Sequence, residues 1–180
     1  TPNLGRQLID SGFTWASYSE DLPSIGSDIE TSLAYVRRHN PAANWVGTGT
    51  NQIPATTNLP FTAFPSNFDS LPTVCFVAPN LDHDMHDGSV TTGDTWVHDN
   101  LDAYAAWART HNSLLILTFD EDDGLIISPN KIVTIFVGED VVQGQYGNAI
   151  THYNVLRTIE EMYGLPPICN AAQVTTIREC

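Results

Sequence analysis

Apolar positions in this chain fall into short runs separated by polar turns, and their spacing predicts an ordered series of helices and strands. Leu4 to Ile9 reads as a short helix, stopped by Gly12 at the place where a helix commonly ends. Phe13 to Tyr18 has the aromatic and β-branched character of a strand. Ile25 to Arg38 is weakly helical in pattern. Asn44 to Pro72 is rich in Thr, Asn, Pro and Gly and has no period, which predicts a long loop or excursion over residues 44–72. Thr73 to Ala78 is a short apolar run bounded by prolines, the pattern of a buried strand. Asp94 to Thr110 reads as a helix capped by Thr92 or Asp94, with Val97, Leu101, Tyr104 and Ala108 on one face. Leu114 to Phe119 and Ile132 to Val137 read as two further strands. A last helix runs from about Thr151 to Tyr163, with Val155, Ile159 and Met162 inward, and ends at Gly164 before Pro166. Strands alternating with helices, each strand a continuous apolar run, predict an α/β fold with a mainly parallel sheet and helices on both faces.

Composition narrows the functional classes. The chain has 180 residues, 21 acidic and 7 basic, giving a formal charge of −14. Nucleic-acid binding gains much of its affinity from Lys and Arg on phosphates, so this balance argues against it, and likewise against attraction to anionic membranes. No apolar run approaches the roughly 20 residues of a membrane span, so no stable membrane anchor is expected. Cys75, Cys169 and Cys180 lack the spacing of a zinc knuckle or redox pair. Cys75, in an apolar run, reads as a buried thiol, and Cys169 with Cys180 would close a small loop in an oxidising compartment.

The chemistry collects after two of the predicted strands. Pro79-Asn80-Leu81-Asp82-His83-Asp84-Met85-His86-Asp87-Gly88 follows the first, and Asp120-Glu121-Asp122-Asp123-Gly124 follows the second. Ligands of open α/β sheets bind beyond the carboxyl ends of the strands, where loops converge. Carboxylates with imidazoles suit a divalent metal such as zinc, iron or manganese. Neither loop has the spacing of a calcium hand, since Asp87 stands where the invariant Gly belongs. Either loop alone also reads as a solvated acidic turn. His39, in Arg37-Arg38-His39-Asn40-Pro41, offers an oxyanion site or simply an exposed basic turn. His152 begins the last helix, where the dipole favours anions. His83, His98 and His111 read as surface residues. There is no Gly-x-Ser-x-Gly elbow to supply a nucleophile.

Taken together, Pro79-Asn80, Asp84-Met85-His86-Asp87, Gly93-Asp94-Thr95-Trp96, Thr118-Phe119-Asp120-Glu121-Asp122-Asp123-Gly124 and His152-Tyr153-Asn154-Val155-Leu156-Arg157-Thr158-Ile159-Glu160 closely resemble the bacterial phosphoesterase family. Asn3-Leu4-Gly5-Arg6-Gln7-Leu8 and His39-Asn40-Pro41 extend the likeness over nearly the whole chain. That family includes secreted acid phosphatases and non-specific phospholipases C within the alkaline-phosphatase-like superfamily. The resemblance implies metal-assisted hydrolysis of phosphate esters through a covalent phospho-enzyme. Asp120 and Glu121 would bind a divalent metal, whether zinc, iron, manganese or calcium. His39, Asp84, His86 and His152 would surround the phosphate, with the histidines catalytic and His39, Asp84 and His86 binding phosphate.

The family's upstream Glu-Asn-His/Arg-Ser motif and its nucleophile have no counterpart among these residues. The resemblance therefore implies that residues 1–180 are the C-terminal part of one phosphoesterase domain, partnered by an N-terminal segment of the same protein. The leading expectation is an acid-phosphatase-type phosphomonoesterase, secreted or extracellular, acting on a phosphate-ester substrate. A phospholipase C-type phosphodiesterase and a non-catalytic metal- or phosphate-binding module are the alternatives.

Overall fold

Asn3 starts the first helix, α1 (Leu4–Asp10), by accepting the Arg6 backbone N–H on its side-chain oxygen at 2.9 Å, one of the orphan donors every helix start leaves. Gly12, at φ +83°, turns the chain out of the helix as expected. The computed structural model describes residues 1–122, 124 and 129–178; Asp123 of the second acidic loop and Cys180 of the expected C-terminal ring lie outside them. The described chain divides into two compact units: Thr1–Trp96 with Ala149–Ile177, and a second containing Val97–Asn148.

In the first unit, β1 (Trp15–Ser19) is buried at every position because it is the central strand. The expected helical stretch over Ile25 to Arg38 is corrected. It holds a small antiparallel hairpin, β2 (Thr31–Ser32) with β3 (Tyr35–Val36), followed by one helical turn at Arg37–His39. Its β-branched and aromatic residues favour the extended ladder over a weak helical period. Next comes α2 (Pro41–Trp45), with Asn40 capping the Ala43 N–H and Pro41 in the first turn, where a missing donor costs nothing. The stretch over 44–72 contributes a strand of its own, β4 (Asn58–Pro60), besides three single helical turns. With β5 (Val74–Ala78) it completes a parallel sheet in the order β4-β1-β5, in register Ser19↔Pro60 and Ser19↔Ala78. All three strands thus end at one edge.

The core of this unit gathers Leu4, Leu8, Trp15, Ala42, Ile53 and Leu165, with Trp45, Phe76, Leu156, Ile159 and Tyr163 packed against it. The Trp15 ring meets Phe76 edge-on at 4.7 Å between centroids. It lies so close to α1 that a Cβ at Gly5 would stand 2.9 Å from the indole nitrogen, which is why glycine occupies that helical position. The last helix, α4 (His152–Met162), is fastened by Asn154 Oδ1, which accepts the Thr151 N–H at 2.8 Å. Its inward stripe is Leu156 and Ile159, continued by Tyr163 just past its end. Met162, expected inward, is 56% exposed, because the apolar face is rotated toward Leu156.

Helix α3 (Val90–Ala108) begins four residues before the expected Asp94, where Ser89 Oγ accepts the Thr92 N–H at 3.1 Å. In the second unit its face formed by Val97, Leu101, Tyr104 and Ala108 is the less exposed one, as the spacing predicts. There β6 (Leu114–Thr118) and β7 (Thr134–Gly138) pair antiparallel, Leu114↔Gly138 through Thr118↔Thr134. This corrects the expectation that both belong to a run of parallel strands. The connection between them contains no crossover helix among its described residues, and a parallel pair needs such a crossover. Among the described residues the fold is mixed α/β, with a parallel three-stranded sheet and two antiparallel two-stranded ladders, β2-β3 and β6-β7.

Candidate active site at the carboxyl edge of the sheet

Three parallel strands ending together expose their last backbone groups and the loops after them to one crevice. Ser19 and Ala78, the last residues of β1 and β5, line it with Tyr35, Val36, His39, Pro79, Asn80 and Leu81. The hairpin is held against the β5 loop by the Leu81 N–H, which donates to the Ala34 carbonyl at 3.0 Å. His39 is positioned from below by Asn40, fully buried, whose amide donates to Asn58 Oδ1 at 2.9 Å and to the Tyr35 hydroxyl at 3.3 Å. Burial pushes the Tyr35 phenol up, with the Asn40 amide opposing, so Tyr35 stays a neutral hydroxyl.

The loop after β5 closes on itself: the Asp87 N–H donates to the Leu81 carbonyl at 2.9 Å, and a Cβ at Gly88 would run into the Asp82 carbonyl. Within it Met85 takes a left-handed φ of +73°, an unfavourable conformation for a non-glycine residue. That turn sets Asp84 and His86 side by side. Asp84 Oδ1 accepts the His86 backbone N–H at 2.8 Å, and Oδ2 lies 2.7 Å from His39 Nδ1. An ionised carboxylate can only accept, so His39 Nδ1 carries the proton and Nε2 is left with its lone pair in the neutral ring. The His86 ring lies 5.3 Å from that of His39 and pairs through Nδ1 with Asp87 Oδ1 at 2.8 Å. Asp84 and His39 are largely shielded, whereas His86 is half exposed.

The structure therefore brings together His39, Asp84 and His86 out of the residues the sequence singles out. His152 is exposed at the first position of α4. Asp120 and Glu121 are exposed just after β6, in the second unit. Arg37 is committed to the Ala43 carbonyl at 3.2 Å, and Arg38 is exposed. Among the described residues no group of three or more His, Cys, Asp or Glu is arranged to hold a metal ion. The carboxylates of Asp120 and Glu121 would supply fewer donors than the four or more a divalent cation usually takes, so these residues alone do not fit a complete centre.

Sequence reasoning missed Glu20 and Asp21, quoted Asn80 within a motif without giving it a role, and placed His83 at the surface by default. His83 Nδ1 lies 2.8 Å from Glu20 Oε2, and its ring stacks on Trp96. Asn80 donates through its amide to Asp21 Oδ2 at 2.7 Å and accepts the backbone N–H groups of Asp82 and His83. The available signal was Ser19-Glu20-Asp21 directly after a predicted strand, at the same edge as Asn80.

The profile of the Phosphoesterase family matches residues 1–166. A phosphatidylinositol-3-phosphatase of Mycobacterium tuberculosis is 48% identical over 98% of this chain and 58% of its own length. An acid phosphatase of Aspergillus fumigatus is 31% identical over 89% of this chain and 39% of its own. A phosphate-repressible acid phosphatase of Penicillium chrysogenum is 29% identical over 86% and 40%. The chain thus spans about half the length of these relatives or less. No solved structure matches it.

Proposed function

The chain belongs to the phosphoesterase family, and on that premise we propose that its His39–Asp84 pair, with His86 beside it, serves the hydrolysis of phosphate monoesters. The observation that carries this reading is the 2.7 Å hydrogen bond from His39 Nδ1 to Asp84 at the sheet edge where α/β ligands bind. By holding one proton on Nδ1, Asp84 leaves the Nε2 lone pair free to take up a second from solvent and stabilises the imidazolium that results, and Nε2 gives that proton to the ester oxygen as the P–O bond breaks. His86 adds a second imidazole that donates to phosphate oxygens when protonated. His152 is assigned to the same phosphate environment on the family resemblance.

The relatives carry phosphatase names, none of them a phospholipase name, and this supports the phosphomonoesterase reading over a phospholipase C-type diesterase. The mycobacterial relative's name adds an inositol-lipid monoester to the substrates worth assaying. The attacking nucleophile is assigned to an upstream segment on the family resemblance alone. A divalent cation, when bound, would neutralise charge on the phosphoryl oxygens. Asp120 and Glu121 are the carboxylates proposed to contribute to it, with further donors from elsewhere. An alkaline-phosphatase-like architecture and secretion belong to the same proposal and rest on the resemblance.

The test uses the full-length protein with p-nitrophenyl phosphate, phosphatidylinositol 3-phosphate and a phosphatidylcholine analogue. His39→Ala is expected to lower kcat by about 10²- to 10⁴-fold, the usual contribution of general acid–base catalysis. Undiminished turnover would overturn the assignment and favour a binding module, and preference for phosphatidylcholine would overturn the monoester reading.

A further inference from the structure

Glu20 stands one residue past β1, and its backbone N–H extends the sheet by donating to the Ala78 carbonyl at 2.9 Å. Its carboxylate is four-fifths shielded and takes three donors. Oε2 accepts the Asn80 backbone N–H at 3.0 Å and faces His83 Nδ1 at 2.8 Å, while Oε1 accepts the Trp96 indole N–H at 3.0 Å. Asn80 and His83 belong to the loop that carries Asp84 and His86, and Trp96 lies on α3. Asp21, itself left-handed at φ +58°, holds the Asn80 side chain from the same strand end. The carboxylate thus joins the end of the central strand to both ends of the segment containing the candidate site.

We infer that Glu20 is a positioning residue for phosphate-ester turnover, acting through Asn80, His83 and Trp96 to fix the loop that presents Asp84 to His39; this rests on the function proposed above. The Asn80 backbone N–H and the Trp96 indole N–H fall on different oxygens, so the side chain needs an acceptor at each position, which a carboxylate has and an amide lacks. An amide of the same shape sets its NH₂ either against the indole N–H or against the Asn80 N–H. Removing the indole N–H relieves the first of these conflicts.

The experiment compares Glu20→Gln, Trp96→Phe and the double variant in the full-length protein with p-nitrophenyl phosphate. It adds hydrogen exchange of the Asn80 amide and the Trp96 indole. Glu20→Gln is expected to lower kcat about 10- to 100-fold, the scale of a displaced catalytic group, with KM changed by less than about twofold. Trp96→Phe in the Glu20→Gln background is expected to bring kcat back to within about threefold of Trp96→Phe alone, a coupling that independent structural damage would not give. Losses that multiply, or a kcat for Glu20→Gln within about twofold of the wild type, overturn the inference. If Glu20→Gln loses its cooperative melt, Asn80→Ala replaces it, with the same fall in kcat at steady KM expected and an unchanged kcat decisive against. If His39→Ala remains fully active, the proposed site has failed, and exchange then judges the tether separately: unchanged protection of Asn80 and Trp96 in Glu20→Gln overturns it.

Discussion

Asp84→Asn tests the site at its narrowest point. The amide has the shape of the carboxylate but only one acceptor, whereas Asp84 faces two N–H donors: the His86 backbone at 2.8 Å and His39 Nδ1 at 2.7 Å. If Oδ1 keeps the backbone donor, Nδ2 faces the imidazole, and His39 must move its proton to Nε2. If the amide turns over, an N–H opposes the His86 N–H. Either way a charge-assisted hydrogen bond worth about 1.5–3 kcal/mol is lost, and in the first case the imidazole is held as the wrong tautomer. Losing general acid–base assistance of about 10²- to 10⁴-fold corresponds to about 2.7–5.4 kcal/mol in the barrier. Steady-state kcat of the full-length variant on p-nitrophenyl phosphate measures that loss, and ¹⁵N shifts of the His39 ring report the tautomer. A kcat within about threefold of wild type, with the proton demonstrably moved to Nε2, would refute the role given to the pair.

Three further outcomes follow from burial. Leu8 is fully buried in the core of the first unit, and Leu8→Ala is expected to cost about 2–5 kcal/mol, read as a lower denaturation midpoint; a loss below about 1 kcal/mol would contradict the packing. Glu160 is buried on α4, where desolvation pushes its carboxyl up and the Ile168 N–H, donating at 2.9 Å, opposes that. The native state then holds this proton more tightly than the unfolded chain, so stability falls as pH rises from the ordinary Glu range, about 4.3, through the raised folded value. Glu160→Gln should therefore stabilise more at about pH 7 than at about pH 4 in thermal melts; a pH-independent difference would be inconsistent with the burial. Burial pushes the Cys75 thiol up to about 12, so iodoacetamide at about pH 8 should label it only in denaturant, and modification of the folded protein at the rate of exposed Cys169 would refute that environment.

What the chain dictates alone is local. Asn3 before Leu4, Asn40 before Pro41 and Thr151 before His152 mark helix starts by a side chain that answers orphan backbone donors, and such signals act within four residues. The apolar runs at β1, β5, β6 and β7 were legible for the same reason, and so were Asp84 and His86, because a loop after a buried strand points to a site. Partnership was not. An apolar run looks alike whether its neighbour runs parallel or antiparallel, so β6 and β7 declare their pairing only when folded. Nor does the sequence announce that Asn58 to Pro60 forms a sheet edge, since a three-residue strand has too few alternations to show a period. Most consequentially, Glu20 and His83 are 63 positions apart, as His39 and Asp84 are 45 apart. Carboxylate and imidazole recognise each other only across hydrogen-bond distance: the parallel register of β1 with β5, ending at Ser19 and Ala78, carries Glu20 to His83, and the hairpin tied by the Leu81 N–H to the Ala34 carbonyl brings His39 to Asp84.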